Sequence, residues 1–180
     1  MTTSTALISF EAFLQLADPS EGRLELHHGK VVRMPPVKFR HTRIQKNIEK
    51  LLEAVALEQG IVYVEMPFRP KPEYEYWVAD VALVTHERDE AARAADFDYF
   101  GGVPDLVVEV LSPRQNADFL FDKENLCLES GSRAFWIVDP KNHQVKVTTP
   151  DWKTITYRAG ESVPVIVFPG SVEVAAIFRK

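Results

Sequence analysis

The chain has a single cysteine among 180 residues, Cys127, and so cannot close an intramolecular disulfide. It has no apolar run approaching the roughly 20 residues that cross a bilayer as a helix, because charged residues or prolines interrupt every hydrophobic stretch. Its first twenty residues lack the basic-then-apolar order of a secretory signal. Together these absences lead to the expectation of a reducing, cytoplasmic setting and no membrane partner. Positive charge is in deficit as well: 21 Lys and Arg face 26 Asp and Glu, leaving a formal net charge of -5. That balance argues against a protein that coats nucleic acid through its whole surface, so any nucleic-acid contact must rely on a local basic patch. There is no internal repeat and no low-complexity segment.

The hydrophobic content of 46% is enough to bury a core without staples, and the expectation is one α/β domain spanning residues 1–180. Ser9 caps a short helix from Phe10 to about Leu16, stopped at Asp18-Pro19. Arg23–His27 alternates polar and apolar residues, His28-Gly29 supplies a turn, and 30–34 resumes the extended pattern, which makes a hairpin. Between Phe39 and Leu57 the residues Ile44, Ile48, Leu51, Leu52 and Val55 recur at helical spacing and form one apolar stripe. The opposite face carries Arg40, Arg43, Lys46 and Lys50, the densest basic cluster in the chain. It suits either a solvated helix face or a phosphate-contact surface.

Two short strands are expected at 61–65 and 67–71, a longer one at 77–84, and a polar surface loop with a helical turn or two at 85–100. A strand at 104–111, a helix at 116–129 ended by Gly131 and a strand at 133–139 form a βαβ crossover, hence some parallel pairing. Residues 144–148 and 153–158 extend the sheet as a meander, and Ser171 caps a last helix.

The chemistry centres on one acid inside each of two apolar strands, Asp80 in Val78–Val84 and Glu109 in Leu106–Leu111. Such strands are normally buried on both faces, and a buried carboxylate without a partner costs several kcal/mol. A shared Mg2+ or Mn2+ ion, held by oxygen ligands, accounts for both. Strand ends capped by backbone amides or paired with arginines are the alternative. In an acid-x-Lys pattern the lysine would stand at position 111, which is leucine. A replacement is available from the following helix in Lys123, whose other reading is an exposed helical lysine. His27, His28 and Cys127 show no zinc-ligand spacing, the two histidines are assigned to the hairpin turn, and Glu65 is left outside the site because Met66-Pro67 reads as a strand end.

Leu24-Glu25-Leu26 with His28-Gly29, the helix start His41-Thr42-Arg43-Ile44, and Val78–Leu83 with Asp80 at its centre together form a pattern. To it belong the run from Gly102 through Glu109 to Pro113, Asp122-Lys123, Glu129-Ser130-Gly131 and Phe135–Pro140. This pattern, over nearly the whole chain, resembles the Uma2 family of restriction-endonuclease-like proteins, a branch of the PD-(D/E)XK nuclease superfamily. The resemblance implies a restriction-endonuclease-like mixed β-sheet core flanked by helices, with additional hairpins. It further implies Asp80 and Glu109 as metal ligands, Lys123 as a migrated catalytic lysine, and Glu25 and His41 as further positions near the site. Ala79 departs from the family pattern, which prefers proline, and Cys127 stands where tyrosine is common. The expected function is hydrolysis of DNA phosphodiester bonds with Mg2+ or Mn2+, in a homodimer because one active centre addresses one strand. The rival expectation is a noncatalytic module on the same fold that binds nucleic acid or a protein.

Overall fold

The structure is a computed structural model and describes residues 7–17, 19–95, 98–112 and 117–179. Asp18, Pro113 and Asn116, which the sequence reading used as helix stop, motif end and helix start, lie outside these residues. Helix α1 (Phe10–Phe13) is held by the Ser9 hydroxyl, which accepts from Ala12 N at 3.3 Å. Strands β1 (Arg23–His27) and β2 (Lys30–Met34) form the expected hairpin. His28 and Gly29 both adopt positive φ, 50° and 71°, as a two-residue turn matching strand twist requires.

Helix α2 (Phe39–Ala56) precedes β3 (Gly60–Arg69) and β4 (Trp77–Thr85), which pair antiparallel. The two short strands expected at 61–65 and 67–71 are thus one continuous strand. Helix α3 (His86–Ala95) replaces the expected loop: its alanines favour helix, and the Tyr63 hydroxyl donates to Asp89 Oδ1 at 2.6 Å. Strand β5 (Phe100–Gly101) lies parallel to the end of β3. Strand β6 (Leu106–Val110), helix α4 (Ala117–Glu129) and strand β7 (Ala134–Asp139) make the crossover, with β6 and β7 parallel as read from the sequence. Strands β8 (Gln144–Thr148) and β9 (Thr154–Arg158) complete a seven-stranded mixed sheet in the order β5-β3-β4-β6-β7-β8-β9. Ser171 caps no helix. It opens β11 (Ser171–Glu173), which pairs with β10 (Ser162–Pro164), and Glu173 precedes the final α5 (Val174–Ile177).

Two apolar layers flank the sheet. Ile44, Ile48 and Leu52 of α2 join Val81, Leu83, Leu106, Val108 and Val110 on one face. Leu120, Leu126 and Cys127 of α4 join Ala82, Val84, Val107 and Phe135 on the other. The alternation along β6 therefore sends Glu109, with the parity of Val107, toward α4. On β3 and β4 the alternation slips. Val62 and Val64 pack on the α2 side but Met66 and Phe68 on the α4 side, while Trp77 and Ala79 lie on the α4 side but Val81 and Leu83 on the α2 side. The register pairs Val64 with Val81 and Met66 with Ala79, so both strands change face at the intervening Glu65 and Asp80, a rung that the pairing skips. Glu65 carries the change in its backbone, at φ 53°, a left-handed conformation uncommon for a residue with a Cβ.

Candidate metal and active centre

The slipped rung gathers polar side chains from six elements, β1, α2, β3, β4, β6 and α4. Asp80 Oδ2 accepts from Val110 N at 2.7 Å, and Asp80 Oδ1 accepts from the Gln45 side-chain amide at 3.2 Å. His41 Nε2 lies 3.0 Å from that same Oδ1, outside hydrogen-bond alignment. Glu65 Oε1 accepts from Gln45 and Glu65 Oε2 pairs with Arg23. One ligand atom from each of His41, Glu65 and Asp80 falls within 4.8 Å of the others. On the α4 side, Glu109 Oε1 accepts from Asp80 N at 3.3 Å and from Lys123 Nζ at 2.6 Å, and Lys123 also donates to Val78 O at 2.7 Å.

Lys123 is 1% exposed, so it is not the solvated helical lysine that its sequence context also allowed. Helix α4 crosses the face toward which β6 parity aims Glu109, and this brings the two together. Burial pushes the Glu109 carboxyl above the ordinary carboxylate range, even with the Lys123 ammonium beside it. Burial pulls Lys123 down, but the Glu109 and Glu25 carboxylates outweigh it and hold the ammonium above its usual value. The same competition acts at His41, where burial lowers the imidazole and the adjoining Asp80 lifts it above the usual histidine range.

The hairpin closes the cluster with its polar face turned inward. Glu25 is fully buried, with Arg23 Nε on Oε1 at 2.8 Å and His27 Nε2 on Oε2 at 2.9 Å. Burial raises its carboxyl, but the His27 hydrogen bond and the nearby Lys123 and Arg23 charges bring the net shift below the ordinary value. His27 stacks on Trp77 with ring centroids 3.6 Å apart, so it belongs to the site's wall, whereas His28 serves the turn and bridges Glu75 and Asp122. Cys127 is buried in the α4 layer, and burial pushes its thiol up, away from reactive thiolate.

Asp80, Glu109, Lys123, Glu25 and His41 thus converge from β4, β6, α4, β1 and α2. Glu65, left outside by the sequence reading, stands at the centre, because its Met66-Pro67 neighbours continue the strand instead of ending it. Gln45 and Arg23 were missed as well. The spacing of four between His41 and Gln45, which puts them on one helix face, could have found the first. The period-two array Arg23, Glu25 and His27, on one strand face, could have found the second. Arg40, Arg43, Lys46 and Lys50 all lie on the exposed face of α2, where Arg40 donates to Pro140 O at 2.9 Å and Lys46 pairs with Glu49 at 2.8 Å.

The donor set of two carboxylates and one imidazole, backed by Glu109, fits a divalent ion; the nitrogen donor favours Mn2+ over Mg2+ relative to an all-oxygen site. His41 Nε2, buried and turned from hydrogen-bond alignment toward Asp80, is the atom in the cluster that such an ion would satisfy.

A family model, Uma2, described as "Putative restriction endonuclease", matches residues 10–176. No curated protein matches the chain in sequence. Among solved structures the chain is similar to one titled a "putative nuclease belonging to DUF820", from Anabaena variabilis ATCC 29413. The TM-score is 0.80 at 21% identity, covering 95% of this chain and 97% of that one. The mixed sheet with its flanking helices is accordingly a restriction-endonuclease-like fold.

Proposed function

Since the chain belongs to the Uma2 family, we propose that it is a metal-dependent endonuclease that hydrolyses DNA phosphodiester bonds at the Asp80 cluster. The observation that carries this reading is the rung where both strands change face, which puts Asp80 beside Glu65, His41 and Glu109 in place of the apolar packing found elsewhere along these strands. Asp80 and Glu109 would hold the ion, with Glu65 and His41 as further ligands. When bound, it supplies a Lewis acid for the phosphate and an acidified water.

The residues of the chain do the rest. Lys123, held by Glu109 and Val78 O, keeps a positive charge within the buried site, where it counters charge that grows on the phosphate in the transition state. Val110 N and Gln45 fix the Asp80 carboxylate in one orientation, which serves geometry more than charge. Glu25 and His27 wall the cluster against the hairpin. The α2 face from Arg40 to Lys50 is the candidate phosphate track, and pairing of two copies would let both strands be cut.

The test is incubation of the purified protein with supercoiled plasmid. The expected outcome is nicked and linear product with Mn2+, less with Mg2+, and none with EDTA or in Asp80→Asn. Intact plasmid under every metal, with DNA still retained in a gel shift, favours the noncatalytic binding module.

A further inference from the structure

Outside the proposed ligands, the cluster contains one cation that the reaction just described does not use. Arg23 Nε pairs with Glu25 Oε1 at 2.8 Å, and its Nη1 pairs with Glu65 Oε2. The other Glu65 oxygen accepts from Gln45, so both oxygens of a candidate ligand are already engaged. The Arg23 side chain is 29% exposed, and it lines an open cleft of about 370 Å³ together with Gly22, Pro35, Pro36 and Val37. Arg23, whose guanidinium holds the carboxylates, is therefore partly exposed beside this cleft. The Glu25, Glu65 and Asp80 charges hold it above its usual value against the burial that lowers it.

We propose that Arg23 is a resident counter-ion that competes with the divalent metal for Glu65 and, when the metal is bound, engages the DNA phosphate at the cleft mouth. The inference rests on the metal-dependent reading above. A guanidinium presents up to five donors in a planar fork, suited to carboxylate in one state and phosphodiester in the other. A metal and Arg23 at the same carboxylate repel each other, so the residue weakens metal binding while strengthening substrate binding. A residue that only supports the fold would weaken both when removed.

Arg23→Gln keeps a polar group of similar reach and removes the charge. By isothermal calorimetry, Mn2+ should bind this variant about tenfold more tightly than wild type. In Ca2+, DNA affinity should fall about tenfold, and its salt slope should flatten by about one unit. Arg23→Lys, which keeps the charge, should stay close to wild type in Mn2+ affinity. A Mn2+ affinity in Arg23→Gln equal to or weaker than wild type overturns the proposal, as does an unchanged DNA affinity. If Arg23→Gln does not fold, the wild type still decides: the Arg23 Nε–H resonance should move on titration with Mg2+, and a resonance that stays in place overturns the competition. A wild type that binds no Mn2+ removes the metal reading itself, whereas equal binding by wild type and Arg23→Gln removes only the role of Arg23.

Discussion

Asp80 and Asp105 are both buried aspartates in the same sheet region, and they are satisfied in opposite ways. Asp105 has a neighbour of its own in Thr85, whose N and Oγ1 donate to Oδ2 at 2.8 and 3.1 Å, while Oδ1 makes no hydrogen bond and is balanced by charge alone, with Arg133 Nε at 3.2 Å and Arg88 Nε at 3.7 Å. Around Asp80 the partners are shared. Gln45 serves both Glu65 and Asp80, Arg23 serves both Glu25 and Glu65, and Glu109 Oε1 takes both Asp80 N and Lys123. A carboxylate with its own donors is a brace that pins β4 to β6 and β7. Carboxylates that divide too few cations among them keep an affinity for another cation, and this separates a site from a structural network.

The largest expected effect comes from placing the same substitution in both. Asp80→Asn should lower cleavage by on the order of a hundredfold or more and abolish the rise in melting temperature that Mn2+ gives the wild type. It should cost little stability, because the amide oxygen can still accept from Val110 N. Asp105→Asn should cost about 2 kcal/mol, or about 6 °C in melting temperature, and leave the Mn2+ increment intact. Thermal melts of both variants with and without Mn2+ check this, and equal metal increments in the two would erase the distinction.

The Glu109–Lys123 pair joins the two types, being a close ion pair inside the shared cluster. Lys123→Met strands Glu109 beside Asp80 at depth and should cost about 3 kcal/mol. Because burial already raises the Glu109 carboxyl, the stranded group can take up a proton and limit the loss. Adding Glu109→Gln should therefore cost less than its own single effect, with a coupling of about 1.5 kcal/mol in a double-mutant cycle. Additive losses would mean that the pair does not stabilise the fold as a unit. Cleavage should be lost in all three variants.

The fold was readable because periodicity carries it: the α2 stripe, the β6-α4-β7 crossover and the hairpin turn each follow from residue spacing. Asp80 and Glu109 stood out as acids in apolar strands, and Lys123 stood out as a replacement lysine on the following helix, a role that the family pattern also implies; its burial the sequence could not give, because it depends on α4 crossing the face Glu109 points to. Glu65 was hidden for a physical reason. Met66-Pro67 read as a strand end, whereas the left-handed backbone at Glu65 lets β3 turn over at that residue and continue to Arg69. Ser171 misled in the other direction, because a residue type that caps helices also suits the start of a short edge strand.

The smallest effect tests whether the same distinction between dedicated and uncommitted partners extends to the exposed α2 face. Lys46 is already paired with Glu49 at 2.8 Å, and Arg40 with Pro140 O. Arg43 instead lies over the ring of Phe39, 5.9 Å from its centroid, in the first turn of α2, and that ring is 82% exposed. A guanidinium held over an exposed aromatic ring keeps its N–H edge toward solvent, available to a phosphate. Each phosphate contact adds about one unit to the salt dependence of DNA affinity. Arg43→Glu should therefore flatten the slope of log affinity against log salt by about one unit. Lys46→Glu should flatten it by less, since reaching a phosphate means first giving up Glu49. Affinities measured in Ca2+ across a salt series distinguish the two. Equal slopes in both variants and the wild type would make the face a solvated helix surface, and would leave Arg23 and the buried cluster as the DNA-contacting cations.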